Sequence, residues 1–272
     1  MITASIVTYN TNPELLRTVI DCAVNSCIER IYVIDNSTAD TLKAFVGSLS
    51  DKIEYIHGQG NVGYGSAHNI AMRLAMAIGA EYHIVLNPDI QFKEGTIESL
   101  QEYMDQNPDI GHVMPRIVYP NGELQYVCKM IPTPADLIFK RFLPSSWTSR
   151  SMRKFQLKFT DYDHEMNVPY LSGCFMFFRV NVLKDIGLFD ERFFMYPEDI
   201  DITRRIHEKY RTMYYPAVTV IHAHAAESRT NKKMLKIHIA NMIRYFNKWG
   251  WIFDSKRTAI NKALLKELNY HE

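Results

Sequence analysis

Short apolar strands alternate with helices through the first third of the chain. The strands are predicted at residues 2–8, 31–35, 53–57 and 82–87. The helices between them are predicted at residues 12–26, 38–49 and 67–79. Parallel strands need crossover connections, and the crossing helices cover both faces of the sheet. The alternation therefore predicts an α/β fold with a mostly parallel central sheet flanked by helices.

Two helices show clear start signals or apolar stripes. In the first, Asn12 suits the N-cap and Pro13 suits the first turn. Its apolar face is predicted to consist of Leu15, Leu16, Val19, Ile20 and Ala23. A C-terminal amphipathic helix is predicted at residues 233–250, with a stripe of Leu235, Ile239, Met242, Phe246 and Trp249.

The alternation is less regular after residue 89. Helices are predicted at residues 96–107 and 181–187 and at the end of the segment 189–210. Strands are predicted within residues 111–122, 170–179 and 212–222. Residues 130–160 are predicted to be irregular.

The net charge of +1 hides an uneven distribution. Residues 129–160 carry seven Lys or Arg against one Asp, and residues 229–272 carry ten against three acids. The rest of the chain is acidic. Basic segments on an acidic body suit attraction to an anionic surface such as a membrane. The acidic body and the lack of a recognised module argue against a nucleic-acid partner.

Cysteine spacing and hydropathy indicate the compartment. Cys22, Cys27, Cys128 and Cys174 lack zinc-ligand spacing, which indicates reduced thiols in a cytosolic protein. The first residues, MITASIVTYN, predict a strand rather than a signal peptide. The longest uncharged apolar stretch, VPYLSGCFMFF, is too short to span a bilayer. We expect a cytoplasmic protein that can touch a membrane but does not cross it.

Polar side chains follow three of the predicted strands. The first strand leads into Thr8-Tyr9-Asn10, the second into Asp35-Asn36-Ser37 and the fourth into Asn87-Pro88-Asp89. An acid after a single strand is usually a turn or cap residue. Ligands of open α/β sheets bind outside the carboxyl ends of the strands, so three such exits favour a binding site.

The residue types at this edge suit a nucleotide with phosphates. The Asp35 carboxylate can accept a ring N–H of a base, and Tyr9 can stack on the ring. Asp89 is a hard oxygen ligand for magnesium or manganese held jointly with a diphosphate. The glycine-rich stretch GNVGYG matches neither a P-loop nor G-x-G-x-x-G, and no Walker lysine follows it. An ATPase or a kinase is therefore disfavoured.

A second group of polar residues lies near the C-terminus. Glu198, Asp199 and Asp201 open a helix, where acids also complement the helix dipole. Adjacent carboxylates after the aromatic run FFMY can alternatively supply a general base, because desolvation raises a carboxylate pKa. His222 and His224 end the last strand and can bind a metal or a phosphate.

Seven motifs, taken in order, resemble glycosyltransferase family 2. They are SIVTYN, VIDNS, GNVGYGSAHNIAM, LNPDI, YLSGCFMFFR, FDERFFMYPEDIDITRRI and VIHAHAAES. The resemblance covers about residues 2–250 and is strongest to rhamnosyltransferase-like members that build O-antigens and other bacterial surface polysaccharides. It implies a GT-A (Rossmann-like) fold, a nucleotide-sugar donor, a divalent metal and inversion at the anomeric carbon.

The resemblance also implies roles for individual residues. The nucleotide-sugar-binding positions are Thr8, Tyr9, Asn10, Asp35, Gly63, Asn69, Asn87 and Gly173. Gly173 lies in the strand beneath the acceptor. The metal positions are Asp89 and His222, and the catalytic positions are Asp199, as the base, and its neighbour Glu198. Asn87 departs from the usual Asp-x-Asp pattern, which removes one negative charge near the metal.

The implied organisation is a catalytic domain followed by a basic extension. Residues 1–228 form the GT-A domain, with a nucleotide-sugar-binding half at 1–120 and an acceptor-binding half at 121–228. Residues 229–272 form a basic C-terminal helical extension. Its aromatic side chains can dock on anionic lipid, or can pack on the catalytic domain or on a second subunit of a homodimer.

The resemblance favours transfer of L-rhamnose from dTDP-rhamnose to a saccharide acceptor carried on a polyprenyl diphosphate. A UDP-linked hexose or galactofuranose donor is the alternative. A nucleotidyltransferase would show a glycine-rich basic loop after the first strand, where this chain has TYNTNPE. A non-catalytic sugar-nucleotide-binding protein would not need Asp89, Glu198 and Asp199.

Overall fold

The computed structural model describes residues 1–137, 145–223 and 232–270. His224 therefore lies outside the described residues. Most of the strands form one sheet with the order β3-β2-β1-β4-β10-β6-β11-β5, and β8 pairs with β11 at its margin. The strands are β1 (Ile2–Thr8), β2 (Arg30–Asp35), β3 (Ile53–His57), β4 (Tyr82–Leu86), β5 (Ile90–Phe92), β6 (Ile110–Val118), β7 (Cys128–Lys129), β8 (Met166–Asn167), β9 (Tyr170–Leu171), β10 (Phe175–Arg179) and β11 (Arg211–His222).

The first four strands form the predicted parallel half of the sheet. β1 pairs in parallel with both β2 and β4, and β2 pairs in parallel with β3. The register places Thr8 opposite Asp35, and Ile6 opposite Leu86. The three predicted polar exits therefore leave the same edge of the sheet.

The second half of the sheet is mixed rather than parallel. β10 lies between β4 and β6 and runs antiparallel to both. β6 pairs in parallel with β11, and β11 pairs antiparallel with the three-residue strand β5, which the sequence pattern did not reveal. The single strand expected at residues 170–179 is divided into β9 and β10, which leaves Ser172-Gly173-Cys174 as an irregular crossing.

Most of the helices lie where the periodicity predicted them, with changes at their ends. They are α1 (Pro13–Val24), α2 (Lys43–Gly47), α3 (Tyr64–Ala77), α4 (Thr96–Gln106), α5 (Pro134–Leu137), α6 (Ser145–Phe155), α7 (Val180–Ile186), α8 (Glu198–His207), α9 (Lys232–Trp249) and α10 (Ser255–Glu267). α2 is shorter than expected, and α3 begins three residues earlier, so the glycine turn forms its first turn. Helices α5 and α6 lie in the segment expected to be irregular.

Helix α1 illustrates how local signals define an element. The Asn12 side chain accepts a hydrogen bond from the N–H of Glu14 at 2.8 Å, as an N-cap does. Leu16, Val19, Ile20 and Ala23 are buried, as predicted. Leu15 was wrongly assigned to this face, since it is 39% exposed.

The C-terminal helices pack on the body of the protein. Tyr245 and Phe246 of α9 are fully buried against Phe193 and Ile200. The aromatic side chains of α9 thus face the protein interior, which is the packing alternative of the sequence analysis. Among the described helices, none combines the length and the apolar character needed to cross a membrane.

Candidate active site

The edge of the sheet beyond β4 brings Asp89 and His222 together. The Oδ1 atom of Asp89 lies 3.3 Å from Nε2 of His222. His222 reaches this point because β11 ends beside β5, with His222 opposite Ile90. Its other ring nitrogen, Nδ1, lies 2.9 Å from Oε1 of Gln125. Gln125 also donates to the backbone carbonyl of His222 at 2.7 Å, so the ring is held from behind.

The pocket around Asp89 favours a positive charge. Burial alone would lower the pKa of His222, but hydrogen bonding to Asp89 and Cys174 raises it to about 10. A cation at this position therefore balances the Asp89 carboxylate. A divalent metal would supply such a charge as well.

Tyr64 connects Asn87 to the irregular crossing at Gly173. Its hydroxyl lies 2.9 Å from Oδ1 of Asn87 and 2.7 Å from the carbonyl oxygen of Gly173. The Nδ2 atom of Asn87 lies 3.4 Å from Nε2 of His222. Tyr64 was not among the predicted site residues, although it lies in the glycine-rich stretch GNVGYG.

Asp199 lies directly beneath Gly173. Its Oδ2 atom accepts a hydrogen bond from the N–H of Gly173 at 3.0 Å, and its Oδ1 atom accepts one from the N–H of Ile200 at 2.8 Å. A Cβ atom at Gly173 would lie 3.1 Å from the Cβ of Asp199, tighter than nearly all real contacts. Glycine at this position thus allows the carboxylate to approach the backbone.

Of the two acids at the start of α8, Glu198 is buried and Asp199 is half-buried, and neither forms an ion pair among the described residues. Glu198 is 4% exposed, and among the described residues its Oε2 atom has no hydrogen-bond partner. Burial, together with the charge of Asp199, raises the pKa of Glu198. Burial also raises the pKa of Asp199, although the charge of Lys129 opposes that increase.

Lys129 is a further residue that the sequence analysis missed. Its ammonium group lies 3.3 Å from the hydroxyl of Tyr170 and over the ring of that tyrosine. Burial lowers the pKa of Lys129, and Asp199 counters that effect. The charge of Lys129 therefore acts on Asp199.

Asp35 is enclosed at the other end of the edge. Its Oδ1 atom accepts from the N–H of Ser37 at 2.9 Å, and its Oδ2 atom accepts from the hydroxyl of Tyr55 at 2.7 Å. Burial alone would raise the pKa of Asp35, but hydrogen bonds from Ser37 and Tyr55 hold it below its usual value. The carboxylate is therefore ionised but fully covered, so a base can reach it only if the covering side chains move.

The loop after β1 borders Asp35. Thr8 is buried opposite Asp35, and the backbone N–H of Asn10 donates to the Ser37 hydroxyl at 2.8 Å. Tyr9 is 54% exposed, so its ring is free to meet a ligand. These three predicted residues and Asp35 lie together at one end of the edge.

Gly63 and Asn69 connect α3 to the segment before α8. A Cβ atom at Gly63 would lie 2.3 Å from the carbonyl oxygen of Phe194, and its φ of 92° also favours glycine. The Asn69 amide donates to the carbonyl of Phe189 at 2.9 Å and accepts from the N–H of Phe189 at 3.0 Å. Both residues hold the wall of the site, and their predicted contact with a donor remains a prediction.

The family model for Glycosyl transferase family 2 matches residues 3–187. The chain belongs to this family. The matched residues include the edge from Thr8 to Asp89 and the crossing at Gly173. Asp199 and His222 lie beyond them, so the interpretation of these two residues depends on the geometry above.

Curated relatives of this glycosyltransferase include two rhamnosyltransferases. The N-acetylglucosaminyl-diphospho-decaprenol L-rhamnosyltransferase of Mycobacterium tuberculosis (strain CDC 1551 / Oshkosh) is 28% identical over 238 residues, which cover 82% of this chain and 75% of the relative. Rhamnosyltransferase WbbL of Escherichia coli (strain K12) is 25% identical over 226 residues, with coverage of 79% and 81%.

A solved structure shows the same fold. The mannosyltransferase PcManGT from Pyrobaculum calidifontis, in complex with GDP-Man and Mn²⁺, superposes with a TM-score of 0.58 at 15% identity. The alignment covers 98% of this chain and 74% of that one. The predicted GT-A fold is confirmed.

The residues of this family 2 enzyme fit a metal that is shared with a substrate. Among residues 1–137, 145–223 and 232–270, no group of three or more His, Cys, Asp or Glu side chains converges on one point. Asp89 and His222 nevertheless offer an oxygen and a nitrogen ligand 3.3 Å apart. Magnesium commonly takes one or two protein ligands and completes its shell with substrate phosphates and water.

Proposed function

We propose that this glycosyltransferase moves L-rhamnose from dTDP-rhamnose to a saccharide acceptor carried on a polyprenyl diphosphate, with inversion at the anomeric carbon. A continuous set of contacts carries the proposal. It runs from Asp199 through Gly173, Tyr64 and Asn87 to His222 and Asp89. The proposed base and the two proposed metal ligands are thus linked by one chain of contacts.

The sugar and the lipid carrier are proposed from the relatives. The two rhamnosyltransferases named above align with most of this chain and of their own lengths. The mycobacterial relative is named for an acceptor that carries N-acetylglucosamine on diphospho-decaprenol. We extend the same sugar and the same class of acceptor to this protein, for a role in surface-polysaccharide (O-antigen) synthesis.

In the proposed reaction, Asp199 acts as the general base. It takes the proton of an acceptor hydroxyl while the hydroxyl oxygen bonds to the anomeric carbon from the face opposite the nucleotide. The bond between that carbon and the diphosphate oxygen breaks, and the nucleoside diphosphate leaves with the bonding electrons. The N–H groups of Gly173 and Ile200 orient the carboxylate, and Lys129 keeps its pKa from rising further.

Asp89 and His222 would hold a magnesium or manganese ion, which neutralises charge on the departing diphosphate when bound. The His222 ring would release its proton on binding the ion. The Asn87 amide lies beside His222 and adds no charge. Thr8, Tyr9, Asn10 and Asp35 would hold the nucleoside end of the donor.

The proposal also assigns the halves of the chain. Residues 1–120 would bind the donor, and residues 121–228 would bind the acceptor beside Asp199. The reaction would take place in the cytoplasm, at the inner face of the plasma membrane, where a polyprenyl-linked acceptor presents its saccharide.

A donor screen tests this proposal. Thermal unfolding is measured with dTDP-rhamnose, UDP-glucose, UDP-galactofuranose and GDP-mannose, each with and without manganese. We expect the largest stabilisation from dTDP-rhamnose with manganese, because ligand binding to the native state raises its stability by mass action. A larger effect from a UDP-sugar would replace rhamnose with the alternative donor class.

Product analysis tests the stereochemistry. NMR of the product formed with the preferred donor should show the anomeric configuration opposite to that of the donor. Retention of configuration would contradict the role proposed for Asp199.

A further inference from the structure

Three consecutive apolar residues project from the turn between α9 and α10. Trp251 is 39% exposed, Ile252 is 79% exposed and Phe253 is 95% exposed. Single apolar residues on a protein surface are common, but an adjacent group of large ones marks an interaction site. We define residues 251–253 as the apolar tip.

Two backbone carbonyls and the indole N–H of the apolar tip are bonded from inside the protein. Arg257 is only 6% exposed, and its guanidinium nitrogens lie 3.5 Å from the carbonyl oxygen of Gly250, 3.4 Å from that of Trp251 and 3.2 Å from that of Ile252. The indole N–H of Trp251 donates to Oδ1 of Asn247 at 2.8 Å. Two backbone carbonyls of the tip and the indole N–H are thus bonded within the protein, which lowers the cost of bringing them to an apolar surface.

The turn that forms the tip is held rigidly. Gly250 has a φ of 106°, and a Cβ atom there would lie 2.7 Å from the carbonyl oxygen of Phe253. Asp254 caps α10 by accepting from the N–H of Arg257 at 2.9 Å. It also forms a twofold hydrogen-bonded pair with Arg204 of α8, at 2.8 Å for each bond. The backbone of the tip is therefore held in place before binding, which lowers the ordering cost of binding.

We propose that the apolar tip inserts into the surface of a lipid bilayer. The choice of lipid rests on the proposed function, whose acceptor is carried on a polyprenyl chain. Charge supports it: between residues 244 and 266 the single acid, Asp254, is buried, while Arg244, Lys256 and Lys262 lie exposed on the two helices. A basic surface around an apolar tip suits anionic headgroups around a hydrocarbon layer.

The apolar contribution should exceed the electrostatic one. Lys256 already pairs with Glu208 at 2.7 Å, and Lys248 pairs with Asp190 at 2.8 Å, which reduces the net charge near the tip. Added salt should therefore weaken vesicle binding less than removal of the tip side chains does.

Vesicle flotation of the full chain tests the proposal. The vesicles are phosphatidylcholine alone and phosphatidylcholine mixed with phosphatidylglycerol. The wild type should float with both and more strongly with the mixture. The double variant Ile252→Ser/Phe253→Ser should show a loss of about tenfold or more in partitioning to the vesicles. The reason is that two large apolar side chains are then missing from the transfer from water into the bilayer.

A matched control removes exposed apolar side chains elsewhere. Leu15 and Ile78 are 39% and 41% exposed and lie outside the tip. The double variant Leu15→Ser/Ile78→Ser should float like the wild type. Equal flotation of the tip variant and the wild type, or no flotation of the wild type, would overturn the proposal.

Two further measurements separate the alternatives. If the tip instead joins two copies of the chain, light scattering without vesicles will show a wild-type dimer that the tip variant dissociates, and the lipid proposal then fails. Transfer to a short, water-soluble acceptor reports on the proposed function alone. The tip variant should keep that activity, whereas an inactive wild type with intact flotation would contradict the proposed function and leave tip insertion supported.

Discussion

Helix α8 carries buried carboxylates that differ in their partners. Asp199 meets backbone N–H groups and the positive charge of Lys129, while Oε2 of Glu198 has no hydrogen-bond partner among the described residues. Asp201, in the same turn, bonds to Arg205 at 2.9 Å, to the indole of Trp249 at 2.8 Å and to Lys248 at 2.6 Å. Buried charges are normally paired, and groups left without pairs concentrate at functional sites.

The difference assigns separate tasks to neighbouring residues. Asp201 attaches α9 to the body through Trp249 and Lys248, and Arg204 attaches the start of α10 through Asp254. Arg204 also stacks on the ring of Trp249 at 3.9 Å. The unpaired acids face the edge where Asn87 and Asp89 lie. Sequence alone presented all of these acids as a single cluster at a helix start.

The largest expected effect is that of replacing Asp199, the proposed base. Asp199→Asn keeps the shape of the side chain but cannot accept a proton. The turnover number should fall by about 10² to 10⁴, the usual contribution of a general base. The kcat for transfer from the preferred donor measures it.

The control for Asp199→Asn is the paired acid. Asp201→Asn should weaken the attachment of α9 but keep kcat for the folded fraction. Donor binding, followed by thermal shift, should survive in both variants. Near wild-type turnover in Asp199→Asn would remove Asp199 from the role of base.

A smaller effect, on stability, is expected on the paired side. Arg204→Met leaves the buried Asp254 carboxylate with the weaker contact to Arg257 at 4.0 Å and should cost about 3 kcal/mol in free energy of unfolding. Chemical denaturation measures the change. Adding Asp254→Asn to this variant should recover part of the loss, since the amide keeps the cap of α10 and removes the charge. No recovery would mean that the loss comes from packing on Trp249.

The smallest expected effect is a change in how the stability of the protein depends on pH. The pKa of Glu198 is raised in the folded state from its ordinary value of 4.5. At a pH above 4.5 the unfolded chain has therefore lost this proton, while the folded protein still holds it. Stability from this group is present below that value and decreases as the pH rises towards the folded value. The variant Glu198→Gln does not titrate at this position, so this contribution to the decrease in stability with pH should be absent. Denaturation at several pH values should show that the stability of the variant increases relative to that of the wild type as the pH rises. A constant difference in stability between the two would contradict this prediction.

The parallel half of the fold was predictable because its signals are local. Alternating apolar runs gave β1 to β4, and Asn12 and Pro13 gave the start of α1. The three polar exits were predictable for the same reason, since parallel strands end at one edge. β5 has only three residues, and β10 joins the sheet through antiparallel pairing that no short window reveals.

The site was predictable in its acids but not in its connections. Tyr64 bonds to a residue 23 positions away and to another 109 positions away, so its role depends on the completed fold. Lys129 acts on Asp199 only because β7 pairs with β9. Asn69 was predicted to border the donor, and its amide is taken up by the backbone of Phe189, 120 positions along the chain.

The place of β10 between β4 and β6 affects how the protein can fold while it is being synthesised. The half proposed to bind the donor is continuous in sequence up to residue 120, but its sheet is not. Until residues 175–179 leave the ribosome, the buried strand β4 has an unpaired edge from Tyr82 to Leu86. Unpaired edges of apolar strands invite contact with other chains. A nascent chain therefore carries an exposed edge for more than fifty residues of elongation, and a slow passage through that stretch would favour aggregation over folding.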